Sequence, residues 1–410
     1  MALAGVVAIL IATLHPLWDQ VGNGAETPLW CLVCGDLGGV DVLLNLLLFL
    51  PFAVGLRLAG QSWRRVVMYS AGLSLTVELL QLTAIPGRDA SLSDLITNTL
   101  GAAVGAWAAS QLPGIVFPGP RAALRLALAG SGAWLLVLLA SAWLLAPWVP
   151  PTPLGSSGAP KGSVTRLLRG EVAGDSTGIA LPAKGLSNSV AEAFRRPLQA
   201  GTLDLKLDLI SGPPAEETLW IFVMYGGLKP VVVLSQEGRD LVLALPARAL
   251  RFRLQPPALR LTGGMPAEAN RPVGLNAGAR AGRIWIATDD GRVPRSAELR
   301  LSPTFGWSLL SPSFLLGRWS RPLTMIWVGI VMLPLGYWAS RVGRAPTAVA
   351  CLVTALALGL GAVPFLTGFG PAAGADWGAG IFGAMVGWAL REPAAYLAAR
   401  CRSPSVDGYS

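Results

Sequence analysis

Asp41-Val42-Leu43-Leu44-Asn45-Leu46-Leu47-Leu48-Phe49-Leu50-Pro51-Phe52 is an apolar run with an acid and an amide set inside it. The run extends over about 41–60, and a membrane helix needs roughly 20 mostly apolar residues. Outward from it, seven more runs of this kind lie near 2–18, 66–85, 93–112, 124–149, 322–341, 346–368 and 375–398. The 410 residues are 53% hydrophobic and 13% charged, where a soluble domain carries about 25% charge. An ordinary soluble enzyme and a disordered chain are both excluded. The net charge of +9 does not form a nucleic-acid face. Only 4 of the 32 basic residues are Lys, and the basic residues divide between a central segment and short loops. No nucleic-acid partner is therefore expected.

The loops set an orientation, because Lys and Arg accumulate in short cytoplasmic loops. Arg64 and Arg65 follow the second run, Arg121 and Arg125 the fourth, Arg341 and Arg344 the sixth, and Arg391, Arg400 and Arg402 the eighth. All fall on one side if both termini are cytoplasmic. Arg88, beside Asp89, is the exception. The first run has no basic residue before it and is read as a helix, not as a cleaved signal. The expected place is the bacterial cytoplasmic (inner) membrane, crossed about eight times, with the central segment extracytoplasmic.

Residues 155–305 hold 19 basic and 13 acidic residues and switch to a period of two. Leu203-Asp204-Leu205-Lys206-Leu207-Asp208-Leu209 alternates as a half-buried strand does. Leu219 to Tyr225 is a second strand. Val231 to Ser235 and Asp240 to Leu245 flank Gln236-Glu237-Gly238 as a hairpin. Arg251 to Leu254, Leu259 to Thr262 and Ile284 to Thr288 continue the series, and Asp289-Asp290-Gly291 reads as a turn. This pattern, above all Trp220 to Ala244, resembles the concanavalin-A-like or laminin-G-like jelly roll, which implies a β-sandwich that binds a glycan or a protein.

Six polar positions fall in pairs along the first helices. Asp41 and Asn45 share a helix face, as do Glu78 and Gln81, and Asp94 and Asn98. Arg88 lies in the short loop beside them. A Glu inside an apolar run marks a functional site by default. The set Asn with Phe-x-Pro, then Glu-x-x-Gln, then Arg and Asp-x-x-x-Asn-x-x-Gly resembles the VanZ-like family of bacterial membrane proteins over residues 1–112. The family's namesake is associated with resistance to the glycopeptide teicoplanin. The resemblance implies a cell-envelope context and names no reaction. In the expected topology all these side chains lie within about two helical turns of the outer surface, roughly 11 Å.

Asp41, Asn45, Glu78, Gln81, Arg88, Asp94 and Asn98 are thus the candidate ligand-binding residues, and Glu78, Asp94 and Arg88 the candidates for catalysis. Structural hydrogen bonding between helices is the plain alternative. A faded second copy is read at 322–398, where Met332-Leu333-Pro334-Leu335 echoes Phe49 to Phe52, and Asp376, Gly383 and Gly387 echo Asp94, Gly101 and Gly105. Cys31-Leu32-Val33-Cys34 is a candidate local disulfide. Trp134, Trp143, Trp148, Trp307, Trp319 and Trp327 are read as belts near headgroups. No metal site and no cofactor are expected.

The expectation is a polytopic α-helical membrane protein with an inserted all-β jelly-roll sandwich. Its parts are a VanZ-like domain at 1–112, a helix and linker at 113–154, the sandwich at 155–305, C-terminal helices at 306–400 and a cytoplasmic tail at 401–410. Its expected partner is a membrane lipid or a lipid-linked envelope precursor, with a glycan or protein at the sandwich. An enzyme acting on a lipid-linked phosphate and a transporter are the alternatives.

Overall fold

The computed structural model describes residues 2–15, 30, 33, 37–86, 88, 90–158, 166–174, 179–181, 186–212, 214–227, 229–311 and 317–392. Cys31, Cys34, Asp89 and the 401–410 tail lie outside the described residues. The chain forms two compact units, one built mainly from the residues up to Ala123 and the other from Leu124 to Arg391 without 252–254.

The first unit holds α1 (Ala2–Leu14), α2 (Gly38–Leu58), α3 (Trp63–Thr83) and α4 (Leu92–Val116). Its core is Ile9, Phe49, Phe52, Val66, Val77 and Ala102. Helices α2 and α4 run parallel and touch through backbone. A Cβ added at Gly101 would sit 2.1 Å from the Leu46 carbonyl oxygen, and one at Gly105 would sit 2.9 Å from that of Leu50. Helices in lipid gain little from burying apolar surface, so they associate through such close small-residue contacts. Gly5 of α1 faces Phe52 of α2 in the same way.

The second unit is entered through α5 (Pro120–Leu145). Then come β1 (Leu154–Gly158), β2 (Arg166–Ala173), β3 (Ile179–Ala180), α6 (Asn188–Ala193), α7 (Arg195–Gln199), β4 (Leu203–Ile210), β5 (Ala215–Gly226), β6 (Lys229–Gly238), β7 (Asp240–Ala244), β8 (Ala258–Leu261), β9 (Pro272–Arg280), β10 (Arg283–Asp289) and β11 (Arg295–Arg300). They make two antiparallel sheets, in the orders β1-β5-β6-β7-β8 and β11-β10-β9-β4-β2-β3. In β4 the four leucines at 203, 205, 207 and 209 are buried and Lys206 and Asp208 exposed, so the period of two is a one-sided strand.

Two details of the strand reading change. The hairpin turns at Gly238-Arg239, two residues later than expected, because Glu237 still pairs with Asp240 and Gly238 takes φ 63°. Arg248–Phe252 is a 3-10 helix, not a strand. Arg248 and Arg251 stack over Trp143 and Trp148, which fixes that turn.

Glu192 of α6 ties this part together. Its carboxylate accepts from the Arg195 guanidinium and from the Leu154 amide at 3.0 Å, and Arg195 also donates to the Thr152 carbonyl at 2.7 Å. These bonds, that from Arg195 first, lower the Glu192 pKa to about 2 from 4.5. The ionised form is favoured in the fold, so its contribution is complete above 4.5 and is lost as pH falls towards 2. Glu192→Gln should therefore lower stability at neutral pH and flatten the acid limb, the difference from the parent closing as pH falls from 4.5 towards 2. Thermal unfolding followed across acidic pH by tryptophan fluorescence checks this; an acid limb identical to the parent protein's would contradict it.

After the sheets come α8 (Ser320–Ser340) and α9 (Ala345–Leu356). A π-helical stretch, Ala357–Ala362, continues α9 into α10 (Val363–Leu366), and α11 (Gly374–Ala389) follows. Trp134 and Leu138 of α5 pack with Val328, Met332, Leu356 and Leu360 in one core. Trp134 is thus buried, 1% exposed, and not in a headgroup belt. The reason is local: a Cβ added at Gly359 in the π-helical stretch would sit 2.3 Å from its indole nitrogen, so only a glycine admits the ring this close.

Helices α8 and α11 repeat the α2–α4 pairing. A Cβ at Gly383 would sit 2.2 Å from the Gly329 carbonyl oxygen, and one at Gly387 would sit 1.9 Å from that of Leu333. Gly329 and Leu333 stand 283 positions after Leu46 and Leu50, and Gly383 and Gly387 stand 282 after Gly101 and Gly105. Gly130 of α5 faces Leu335, which is 283 positions after the Phe52 that Gly5 faces.

Among the described residues, five helices are long and apolar enough to cross a membrane: Gly38–Leu58, Trp63–Thr83, Pro120–Leu145, Ser320–Ser340 and Ala345–Leu366. The other three apolar runs form helices of 13, 25 and 16 residues. Of these, α4 is long enough but dilutes its apolar residues with Gly, Ser, Thr and Asn.

Candidate functional site

The seven polar residues lie in the first unit, and the structure divides them into two groups. Gln81 and Asn98 hold helices together. The Gln81 amide donates to the Thr13 carbonyl of α1 at 2.9 Å, and the Asn98 amide donates to the Ser74 hydroxyl of α3 at 2.9 Å. Both are buried, 7% and 2% exposed. Their carbonyl oxygens, Gln81 Oε1 and Asn98 Oδ1, are buried without a donor.

The second group stands at the N-terminal ends of α2 and α4. Parallel packing through Gly101 and Gly105 brings these ends together. Asp41 lies in the first turn of α2 and Asp94 in the first turn of α4. Asn45, one turn below Asp41, hydrogen-bonds the Asp94 carboxylate. Asp94 is in electrostatic range of Asp41, Arg88 and Glu78. Asp41 is exposed, while Asn45 and Asp94 are half-buried.

Glu78 and Arg88 join this group through backbone. The Glu78 carboxylate accepts from the Ser91 amide at 2.7 Å. Ser91 caps α4, its hydroxyl accepting from the Ser93 amide at 3.1 Å. Glu78 therefore positions the start of α4, and with it Asp94. Arg88 donates from Nε to the His15 carbonyl at 3.3 Å and from one Nη to the Ala12 carbonyl at 3.1 Å. It neutralises the carbonyls left open at the end of α1, which a cation there favours. The charge of Arg88 still reaches Asp41 and Asp94.

Thr13, Ser74 and Ser91 are partners that the sequence reading did not single out. Ser91 carried a usable signal, a Ser just before an apolar helical run. Thr13 and Ser74 carried none, since Ser and Thr are common in packed membrane helices.

In the second unit Asp376 is the counterpart of Asp94. It is 6% exposed and accepts from the Thr304 hydroxyl at 2.9 Å, with no Asn beside it, since Val328 stands where Asn45 would be. Asp289 and Asp290 form a turn: their carboxylates accept from the amides of Gly291, Arg292 and Val293 at 2.8–3.0 Å. Among the described residues no group of three or more His, Cys, Asp and Glu stands ready for a metal ion.

Residues 6–115 match the family model described as VanZ/LLP1. The match begins within α1 and ends within α4, and so contains every member of the polar set. No curated protein and no solved structure matches the chain. The apolar helices and the VanZ-like region together mark a membrane protein with an additional pair of antiparallel sheets.

Proposed function

We propose that the VanZ-like unit binds the polar headgroup of a lipid or a lipid-linked glycan at the outer leaflet of the cell membrane. The observation that carries this reading is the convergence of Asp41, Asn45 and Asp94 at the shared end of two parallel helices, with one arginine among three carboxylates. An acceptor-rich site of this kind suits a ligand rich in donors, such as sugar hydroxyls or an amine. In this reading the chain crosses the membrane about eight times with both termini cytoplasmic. The sheets form an extracytoplasmic jelly-roll sandwich that meets a glycan or a protein. Work in envelope resistance to glycopeptides fits the VanZ context.

The enzyme reading, with Glu78, Asp94 and Arg88 on a lipid-linked phosphate, has less support. Glu78 and Arg88 are both spent on backbone, and an acidic cluster repels a phosphate. A transporter is motivated by the repeated helix packing, but the second unit lacks counterparts of Glu78, Gln81, Arg88 and Asn98.

Native mass spectrometry of lipids that co-purify with the full chain tests the proposal. The parent protein should retain one specific lipid species, and Asp41→Asn with Asp94→Asn should lose it. Gln81→Ala and Asn98→Ala should keep it while losing about 1–2 kcal/mol of stability, the scale of hydrogen bonds between membrane helices. Retention of the same lipid by the double variant would sink the headgroup site. Reconstituted vesicles separate the other readings: a modified lipid marks the enzyme, and lipid moved without modification marks the transporter.

A further inference from the structure

The second unit contains a cavity of about 760 Å³ at the heads of α8 and α11, bordered by strands β8 and β11. It occupies, within its own unit, the place that the carboxylate group occupies in the first. Thr324 and Asp376, which line it, stand 283 and 282 positions after Asp41 and Asp94. The constant offset of the Gly383 and Gly387 contacts makes these positions equivalent in three dimensions. The charge, however, is reversed.

Four arginines line the cavity: Arg260, Arg300, Arg318 and Arg321. Arg260 is 9% exposed and is spent on Glu237 and Asp240. Arg300, Arg318 and Arg321 are exposed and have no ion-pair partner among the described residues. Of the acids in the wall, Glu298 pairs with Arg283 and Asp376 is buried against Thr304. Three arginines without an ion-pair partner among the described residues therefore line the cavity. The N-terminal ends of α8 and α11 open into it as well and add positive potential.

Position narrows the ligand. Ser320 begins a helix long and apolar enough to span a membrane, and Arg318 and Arg321 bracket that residue. Their guanidinium groups thus stand where a bilayer carries its headgroups. Arg318 also stacks over Trp319, a residue type suited to that depth. In the orientation set by the short loops this end is the outer one, where basic residues have no topological role. Guanidinium groups recognise phosphate oxygens through paired hydrogen bonds. We propose that this cavity binds the phosphate group of an anionic lipid headgroup, a site separate from the carboxylate cluster and independent of it.

The test uses the full chain in a neutral detergent, with binding read by thermophoresis. The probes are dioctanoyl phosphatidic acid, dioctanoyl phosphatidylcholine and inorganic phosphate. Phosphatidic acid should bind at least about tenfold more tightly than phosphatidylcholine, and Arg318→Gln with Arg321→Gln should weaken it by about tenfold or more. Replacing both by Lys should keep most of the binding. Arg292→Gln, on the exposed turn after β10, should change nothing. If the double Gln variant unfolds, Arg300→Gln on the exposed edge of β11 gives the same comparison. Competition by inorganic phosphate would assign recognition to the phosphate group, free or lipid-borne; lipid binding without that competition would assign it to the whole headgroup. Equal binding of the two lipids, or equal binding by parent and arginine variants, overturns the proposal. Neither result bears on the variants at Asp41 and Asp94.

Discussion

Gly101→Val should prevent the first unit from accumulating in folded form, and Gly387→Val should do the same to the helices of the second. In both places the new Cβ would enter the backbone of the facing helix, 2.1 Å from the Leu46 carbonyl oxygen and 1.9 Å from that of Leu333. The obstacle is backbone and cannot rotate aside. The helices must separate, which breaks a parallel contact that no hydrophobic force restores in lipid. Even Ala at these sites should cost about 1–3 kcal/mol, as overpacked cores do, despite a helix propensity better than that of Gly by roughly 1 kcal/mol. Gly72→Ala and Gly114→Ala are the controls, because a Cβ there meets nothing within 4 Å. They should be neutral or stabilising by up to about 1 kcal/mol. Thermal unfolding in detergent, read by fluorescence-detected gel filtration, distinguishes the two classes. Equal behaviour of Gly101→Ala and Gly72→Ala would refute the close contact.

Phe222→Ala should destabilise the sheets by about 3–5 kcal/mol, the range for emptying a fully buried aromatic site. Phe222 is 0% exposed in β5, paired to Gly158 of β1 and Leu234 of β6. The strand register shifts between Trp220 and Phe222. Without that irregularity the two rings would stand on one face. With it, Trp220 remains 37% exposed and packs edge-on to Tyr225 at 6.2 Å. Trp220→Ala should therefore cost only about 1 kcal/mol. Limited proteolysis of the full chain at rising temperature reads both changes, and equal sensitivity of the two variants would refute the asymmetry.

The helices were legible because length and apolar content leave few alternatives. The carboxylate group was legible because Asp41 with Asn45 and Asp94 with Asn98 fall at helical spacing. The division of labour within the set was not legible. Gln81 and Asn98 reach Thr13 and Ser74 on other helices, 68 and 24 positions away, and no local pattern announces such partners. Strands β1, β9 and β11 escaped the reading for a different reason. Leu154 to Gly158 is mostly Gly and Ser, Pro272 to Arg280 is interrupted by Gly and Ala, and Arg295 to Arg300 alternates only between half-buried and exposed. The Arg318 and Arg321 pair escaped because it sits at the edge of a long segment, where basic residues attract no notice until a cavity forms around them.

The core that joins Trp134 and Leu138 to Val328 and Leu360 closes a loop of about two hundred residues, with both sheets inside it. During synthesis α5 leaves the ribosome long before its partners in that core exist. At about 5–20 residues per second the wait is roughly 10–40 s. Over that interval Gly130 and Trp134 present an unfilled face to whatever surrounds the nascent helix. The rate at which the sheets fold then decides how soon α8 can arrive. Slowing translation between 146 and 319 should lengthen the exposure of α5.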